Sequence, residues 1–402
     1  MKVALLLLVL ALAGGIYLYY RMEHAPAPTP ATANAVTVKP QETAKQDVVP
    51  PAPARPPHSP EEFLAQGRYA EAQALLDKVP EAERNEGWKI KLAEVKAGLG
   101  DTAFALKTVD EVLALHGTEP QPDLLLFKAR LEKASGALEK AEDTLSHVFL
   151  ADKASPAGLT AAMQLSETWR GRDLGKLPPG KLVNMNLVLT KVLDSAVDEN
   201  VEKECLARLE ELNQRIFFSP YPYGGLVDLH KVQPGESVSL IAKKYKIYPD
   251  RVLRANRMKR SDMLQAGREL RIIQGHVHLR VNRDKFLLTA YLGDMFFKRY
   301  HVGVGKEGSQ TPHGVTRVSK SMAQNPPYKV PATGQMLGPE DPANPIGSRW
   351  IGLDMGQGYG IHGTREPDSI GKKTSNGCIR LTNEDVEDLY DYVMVGDEVT
   401  IE

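Results

Sequence analysis

Cysteine is scarce here: the 402 residues contain only Cys205 and Cys378, too few for an extracellular scaffold stapled by disulfides. Net charge is nearly absent too, with 50 Lys and Arg against 51 Asp and Glu, so no global field draws the molecule to nucleic acid. The ten histidines are scattered, and none forms a tight pair with a carboxylate or cysteine. Neither a metal site nor a cofactor is expected. The two thiols therefore need explanations of another kind.

One long run carries no charge at all, from Val3 to Tyr20, bracketed by Lys2 and Arg21. As a helix it would measure about 27 Å at ~1.5 Å per residue, enough to cross a bilayer core. Residues 1–23 are expected to be an uncleaved transmembrane anchor, with a secretory signal cut after Ala11-Leu12-Ala13 as the alternative. Tyr17, Tyr19 and Tyr20 suit a membrane interface and favour the anchor. Without a nearby cysteine, a lipid anchor is excluded. Residues 24–60, dominated by Pro and Ala, cannot bury a core and read as an extended spacer.

From 61 to 216 apolar residues recur at helical spacing, and strand-type alternation is missing. Gly67, Gly100 and Gly136 each precede an alanine five residues on (Ala72, Ala105, Ala141) and an aliphatic nine on (Leu76, Val109, Leu145). Such spacing resembles tetratricopeptide repeats and implies either a groove for a protein partner or a helical spacer. Trp88, Phe104 and Trp169 are expected in the core, and Cys205 as a small buried apolar side chain.

Residues 229–274 change character. Val232 starts a short strand, Pro234-Gly235 turns it, Ser237 caps a helix, and Leu270 to Ile273 returns as a strand. The order Val232, Gly235-Glu236-Ser237, Ile241-Ala242, Tyr245, Leu253, Asn256, Leu264, Gly267, Leu270 and Ile272 resembles a LysM module, with His230 where an aromatic usually stands. The resemblance implies a small βααβ fold that binds N-acetylglucosamine-containing glycans, through Gly235, Glu236, Ser237 and Asn256.

The last segment, 275–402, reads as mainly β: His276 to Val281, Phe286 to Tyr291 and Met295 to Val304 are strand-like, and one helix is expected over Asn383 to Tyr392. Its densest cluster is Gly360-Ile361-His362-Gly363-Thr364 followed by Ser375-Asn376-Gly377-Cys378-Ile379-Arg380-Leu381. A His and a Cys beside glycines, on two chain segments, suit a nucleophilic pair, in which an imidazolium would lower the thiol pKa. The N–H groups of Gly377 and Cys378 could converge on an oxyanion.

These motifs resemble the YkuD-type L,D-transpeptidase catalytic domain, whose signature is His-Gly followed by Ser-x-Gly-Cys-x-Arg. Val302 to Lys306, Thr311 to Gly314, Asn325-Pro326-Pro327, Asn344 to Gly347 and Trp350 to Leu353 agree in order. The resemblance implies Cys378 as nucleophile, His362 as general base and then acid, and the Gly363 carbonyl as the group orienting the imidazole. Ser375, Asn376 and Arg380 are implied near substrate, with Arg380 either binding a carboxylate or bracing the cysteine loop. The implied substrate is a peptidoglycan stem peptide, and the implied place is the periplasm, at the inner membrane. Cross-linking, L,D-carboxypeptidase trimming and a non-catalytic wall scaffold all remain compatible with these residues.

Overall fold

The computed structural model describes residues 59–402 apart from 118, 120, 197, 220, 221, 224, 331 and 357. The expected anchor and most of the spacer lie outside the described residues, among which no helix is long and apolar enough to cross a membrane.

The first part is helical: α1 (Pro60–Ala65), α2 (Tyr69–Leu76), α3 (Glu86–Gly98), α4 (Thr102–His116), α5 (Pro122–Ala134), α6 (Leu138–Ala151), α7 (Pro156–Thr168), α8 (Pro179–Ser195) and α9 (Glu199–Phe218). Ser59, Asn85, Asp101, Ser155 and Asp198 cap helices with side-chain oxygens that accept from first-turn N–H groups. The repeat has a physical basis. Gly67, Gly100 and Gly136 join α1 to α2, α3 to α4 and α5 to α6 at φ of +69°, +92° and +84°, where a side chain would be strained. The alanine and aliphatic that follow each glycine are buried. Trp169 and Cys205 are buried as expected. Phe104 is not: it is 39% exposed under the Lys96 ammonium, because it begins α4 on the helix's outer side, three residues after the capping Asp101.

Two strands, β1 (Val227–Lys231) and β2 (Glu269–Ile273), pair antiparallel around α10 (Val238–Tyr245) and α11 (Pro249–Ala255), giving the expected βααβ module. Val232, Ile241, Val252, Leu270 and Ile272 form its core.

The remaining strands are β3 (Val277–Asn282), β4 (Leu287–Leu292), β5 (Met295–His301), β6 (Val304–Gly305), β7 (Gly314–Gln324), β8 (Tyr328–Lys329), β9 (Met336–Leu337), β10 (Arg349–Leu353), β11 (Gly360–Gly363), β12 (Lys373–Ser375), β13 (Ile379–Leu381) and β14 (Glu398–Ile401). Eight form one mixed sheet in the order β13-β11-β10-β7-β14-β3-β4-β5. The single helix of this part, α12 (Asn383–Tyr392), is capped by Thr382 and buries Val386, Leu389 and Tyr392.

The three parts are joined by buried polar contacts as well as by apolar packing. At the β5 edge, Asn213 Nδ2 on α9 donates to Phe297 O at 2.7 Å, Asn186 Nδ2 on α8 donates to Phe296 O at 3.2 Å, and Thr190 Oγ1 accepts from Phe296 N at 2.8 Å. Ladder positions of an outermost strand are thus filled by side chains of the helical part. The βααβ module is held by Arg251 of α11, which is 0% exposed and donates from Nη1 to Gly275 O at 2.6 Å and from Nη2 to Tyr392 O. Burial pulls this guanidinium down to about 10, against the attraction of Asp397, so it stays charged at neutral pH.

Candidate active site

The site forms at the sheet edge opposite β5. β11 and β13 run parallel with His362 opposite Arg380, and β10 runs antiparallel to β11 with Trp350 opposite His362. Opposed residues share a face, so Trp350, His362 and Arg380 belong to one face, and Cys378 just precedes β13. Trp350 stacks on the imidazole with ring centroids 5.7 Å apart and planes 23° apart. Sequence reading gave Trp350 no role. Its alignment opposite the histidine appears only once the strands pair.

His362 is 4% exposed, and its Nδ1 lies 2.6 Å from Gly363 O. A carbonyl accepts only, so Nδ1 carries the proton and Nε2 keeps a free lone pair. The same carbonyl accepts from Gly347 N at 3.0 Å, which gives the Asn344 to Gly347 motif a function: it pins the group that orients the imidazole. A side chain at Gly347 or Gly363 would collide with Asn383 Oδ1, which accepts from Ser348 N.

The turn carrying Cys378 is braced from inside. Ser375, 2% exposed, donates from Oγ to Cys378 O at 2.6 Å and accepts from Gly377 N at 3.1 Å. Ser375 thus braces the turn, and the Gly377 N–H expected at an oxyanion is engaged by its hydroxyl. Gly377 sits at φ +111°, and an added Cβ would come within 2.7 Å of the Tyr359 ring, so only glycine fits. Asn376 is exposed at the rim. Arg380 is mostly buried and donates from Nη1 to the exposed Glu366 carboxylate at 2.8 Å.

Electrostatics also differ from expectation. Burial pushes the Cys378 thiol up, more than the hydrogen bond from the Gly360 backbone and the Arg380 charge lower it. Burial pushes His362 down to about 4, aided by Arg380 and opposed by the hydrogen bond to Gly363. In this state the thiol donates to Gly358 O at 3.3 Å and not to the imidazole. Burial thus disfavours both the thiolate and the imidazolium, against the expected ion pair.

A pH dependence follows. Unfolded, His362 takes up its proton near 6.5, and folded it resists to about 4, so below pH 6.5 the unfolded state binds the extra proton. Stability is therefore lost as pH falls through this window, by about 3 kcal/mol in total for a shift of this size. Urea unfolding at pH 7 and at pH 4.5 should show a larger acid loss in wild type than in His362→Gln. Equal losses would contradict the buried, neutral imidazole.

The LysM residues expected to contact glycan have internal duties. Glu236 Oε2 accepts from Gln233 N at 2.8 Å and lies 2.7 Å from His230 Nε2; Ser237 Oγ caps α10 by accepting from Leu240 N. Asn256 donates to Val252 O and Arg271 O and accepts from Arg271 N, locking α11 to β2. Gly235 turns the chain at φ +83°. These residues shape the loops. Among the described residues, no three His, Cys, Asp or Glu side chains are placed to hold a metal ion.

Known proteins resemble this chain in sequence. Residues 276–401 match the L,D-transpeptidase catalytic domain model, and residues 230–272 match the LysM domain model. A Bacillus licheniformis protein whose name assigns it to the L,D-transpeptidases, YkuD, is 32% identical over 180 residues, 43% of this chain and 98% of the relative. The chain belongs to the YkuD family of L,D-transpeptidases. Another relative named for this activity, YqjB of Bacillus subtilis, is 37% identical over 133 residues, 32% of this chain and 73% of its own length. A solved L,D-transpeptidase from Mycobacterium smegmatis aligns with 34% of this chain at 19% identity and a TM-score of 0.27, and this chain spans 63% of its length. Beside the catalytic sheet, the present chain carries a helical part and a LysM module.

Proposed function

We propose that the protein cross-links peptidoglycan as a cysteine L,D-transpeptidase, held at the periplasmic face of the inner membrane by residues 1–23. The observation that carries this reading is the imidazole whose Nδ1 is fixed to Gly363 O while its Nε2 lone pair remains available, on a strand paired with the one that Cys378 precedes.

Attack of Cys378 sulfur on the carbonyl carbon of the third stem residue forms the C–S bond while the thiol proton passes to His362 Nε2. Collapse breaks the C–N bond to D-alanine, whose amine takes that proton. An amine of a second stem then attacks the thioester, gives its proton to Nε2, and releases the sulfur, which recovers it as thiol. Because both partners rest neutral, proton transfer accompanies attack. The Cys378 N–H would donate to the oxyanion, and Arg380 would exchange exposed Glu366 for a substrate carboxylate. LysM loops would hold the glycan strand, and the tetratricopeptide-like hairpins would offer a groove to a protein partner.

Incubating the full chain with disaccharide tetrapeptides and weighing the products by mass spectrometry tests the reading. Cross-linked dimers lacking one D-alanine are expected. Tripeptide alone would identify a water-resolved carboxypeptidase, and unchanged substrate would sink the catalytic reading.

A further inference from the structure

A cleft of about 470 Å³ between the LysM module and the catalytic sheet is lined by Arg254, Arg257, Arg260, Arg349, Asp250 and Asp391 among others. Four guanidinium groups meet two carboxylates, an excess of two positive charges. Both carboxylates already have partners: Arg254 Nε donates to Asp391 at 2.7 Å, and Arg260 Nη2 to Asp250 at 2.5 Å. One arginine is left over. Arg257 makes no ion pair among the described residues, whereas Arg349 pairs with Glu387 at 3.8 Å, donates from Nη1 to Ser348 O at 2.8 Å and keeps a buried Nε with no hydrogen-bond partner. A buried donor without an acceptor calls for a reason.

The backbone adds an independent observation. Arg257 follows α11 at φ +53°, in the left-handed region where helix ends favour glycine. Keeping a long side chain there costs about 1 kcal/mol, and such strain gathers at functional positions. Alternation along β10 puts Arg349 and Trp350 on opposite faces, so this cleft is separate from the His362 groove. Its arginines 257 and 260 belong to the loop between α11 and β2, one of the two that join strand to helix in the module.

We propose that the cleft binds the carboxylates of a peptidoglycan stem peptide, on a strand whose glycan the adjoining LysM loop holds. The mixed lining selects this ligand class. A stem peptide carries carboxylates for Arg257 and for Arg260, whose partner Asp250 is then released to the peptide's amine, whereas a polyphosphate offers no amine to that aspartate. The inference rests on the wall-binding reading given above.

The test measures binding of the full chain to three probes: soluble uncross-linked strands bearing tetrapeptides, the same strands with their carboxyls amidated, and chito-oligosaccharide. Wild type should prefer native over amidated strands about tenfold at low salt. The Arg257→Gly, Arg260→Gln double variant should keep less than about twofold of that preference. Glycine relaxes the backbone at 257, and an unchanged thermal midpoint will show that the loss is not unfolding. Equal binding of native and amidated strands by wild type, full preference in the double variant, or stronger competition by a glycerol-phosphate polymer than by free stem peptide would each overturn the proposal. Failure of wild type to bind any probe, chito-oligosaccharide included, would strike the wall-binding reading itself and this proposal with it.

Discussion

Turnover of a disaccharide tetrapeptide should fall by at least ~10⁴-fold when Cys378 is replaced by alanine, and nearly as far in Cys378→Ser. The thiol sits at the turn that leads into β13, the strand paired with the one carrying the imidazole. Serine keeps a hydroxyl of similar size but holds its proton far more tightly, and a neutral imidazole whose pKa lies near 4 is a weak base for it. Neither change should threaten the fold. The thiol makes one hydrogen bond, to Gly358 O, worth about 1 kcal/mol, and the turn is braced by Ser375 rather than by the sulfur. Both variants should therefore still sediment with insoluble peptidoglycan. Ordinary activity in Cys378→Ala would remove the proposed chemistry, whereas loss of binding together with activity would mean that the turn had collapsed.

Arg251→Ala should destabilise the protein by about 3–4 kcal/mol, the cost of two carbonyls left buried without donors plus a cavity. Arg251 reaches from α11 to Gly275 O and Tyr392 O and is fully buried, so no water takes its place. Arg251→Met fills the space and removes the cost of burying a charge, so it should lose only about 1–2 kcal/mol. Calorimetry should also show a change of shape: the single transition of wild type divides, with the LysM module melting first in Arg251→Ala. One cooperative transition with a midpoint within about 2 °C of wild type would show that the module is held by other contacts.

Much of this was legible in the sequence, for reasons that can be named. The helix over 383–392, the βααβ module and the first three strands of the catalytic part all follow from local periodicity and capping, which are short-range. The Gly67, Gly100 and Gly136 repeat is equally local, since a positive φ falls on each turn. Roles decided by what a side chain meets in three dimensions were harder to read. Ser375 has the type of a substrate contact, yet its hydroxyl turns inward to Gly377 and Cys378. Burial disfavours the thiolate expected at Cys378 more than the Arg380 charge favours it, and burial has no sequence signature at a glycine-rich turn. Arg251 reads as one more charged residue on a short helix, and the arginine cleft assembles residues from 250 to 391 that no window of sequence brings together.

The filling of the β5 ladder by Asn186, Thr190 and Asn213 makes the chain's parts dependent on one another in a way that their boundaries conceal. Severed near residue 275, the catalytic sheet would present a bare strand with Phe296 and Phe297 beside it, a ready template for a second copy to add its own strand. The helical part thus acts as a built-in escort for the sheet. During synthesis it emerges first, and it is already available when the last strand, β14, inserts between β3 and β7 to complete the sheet.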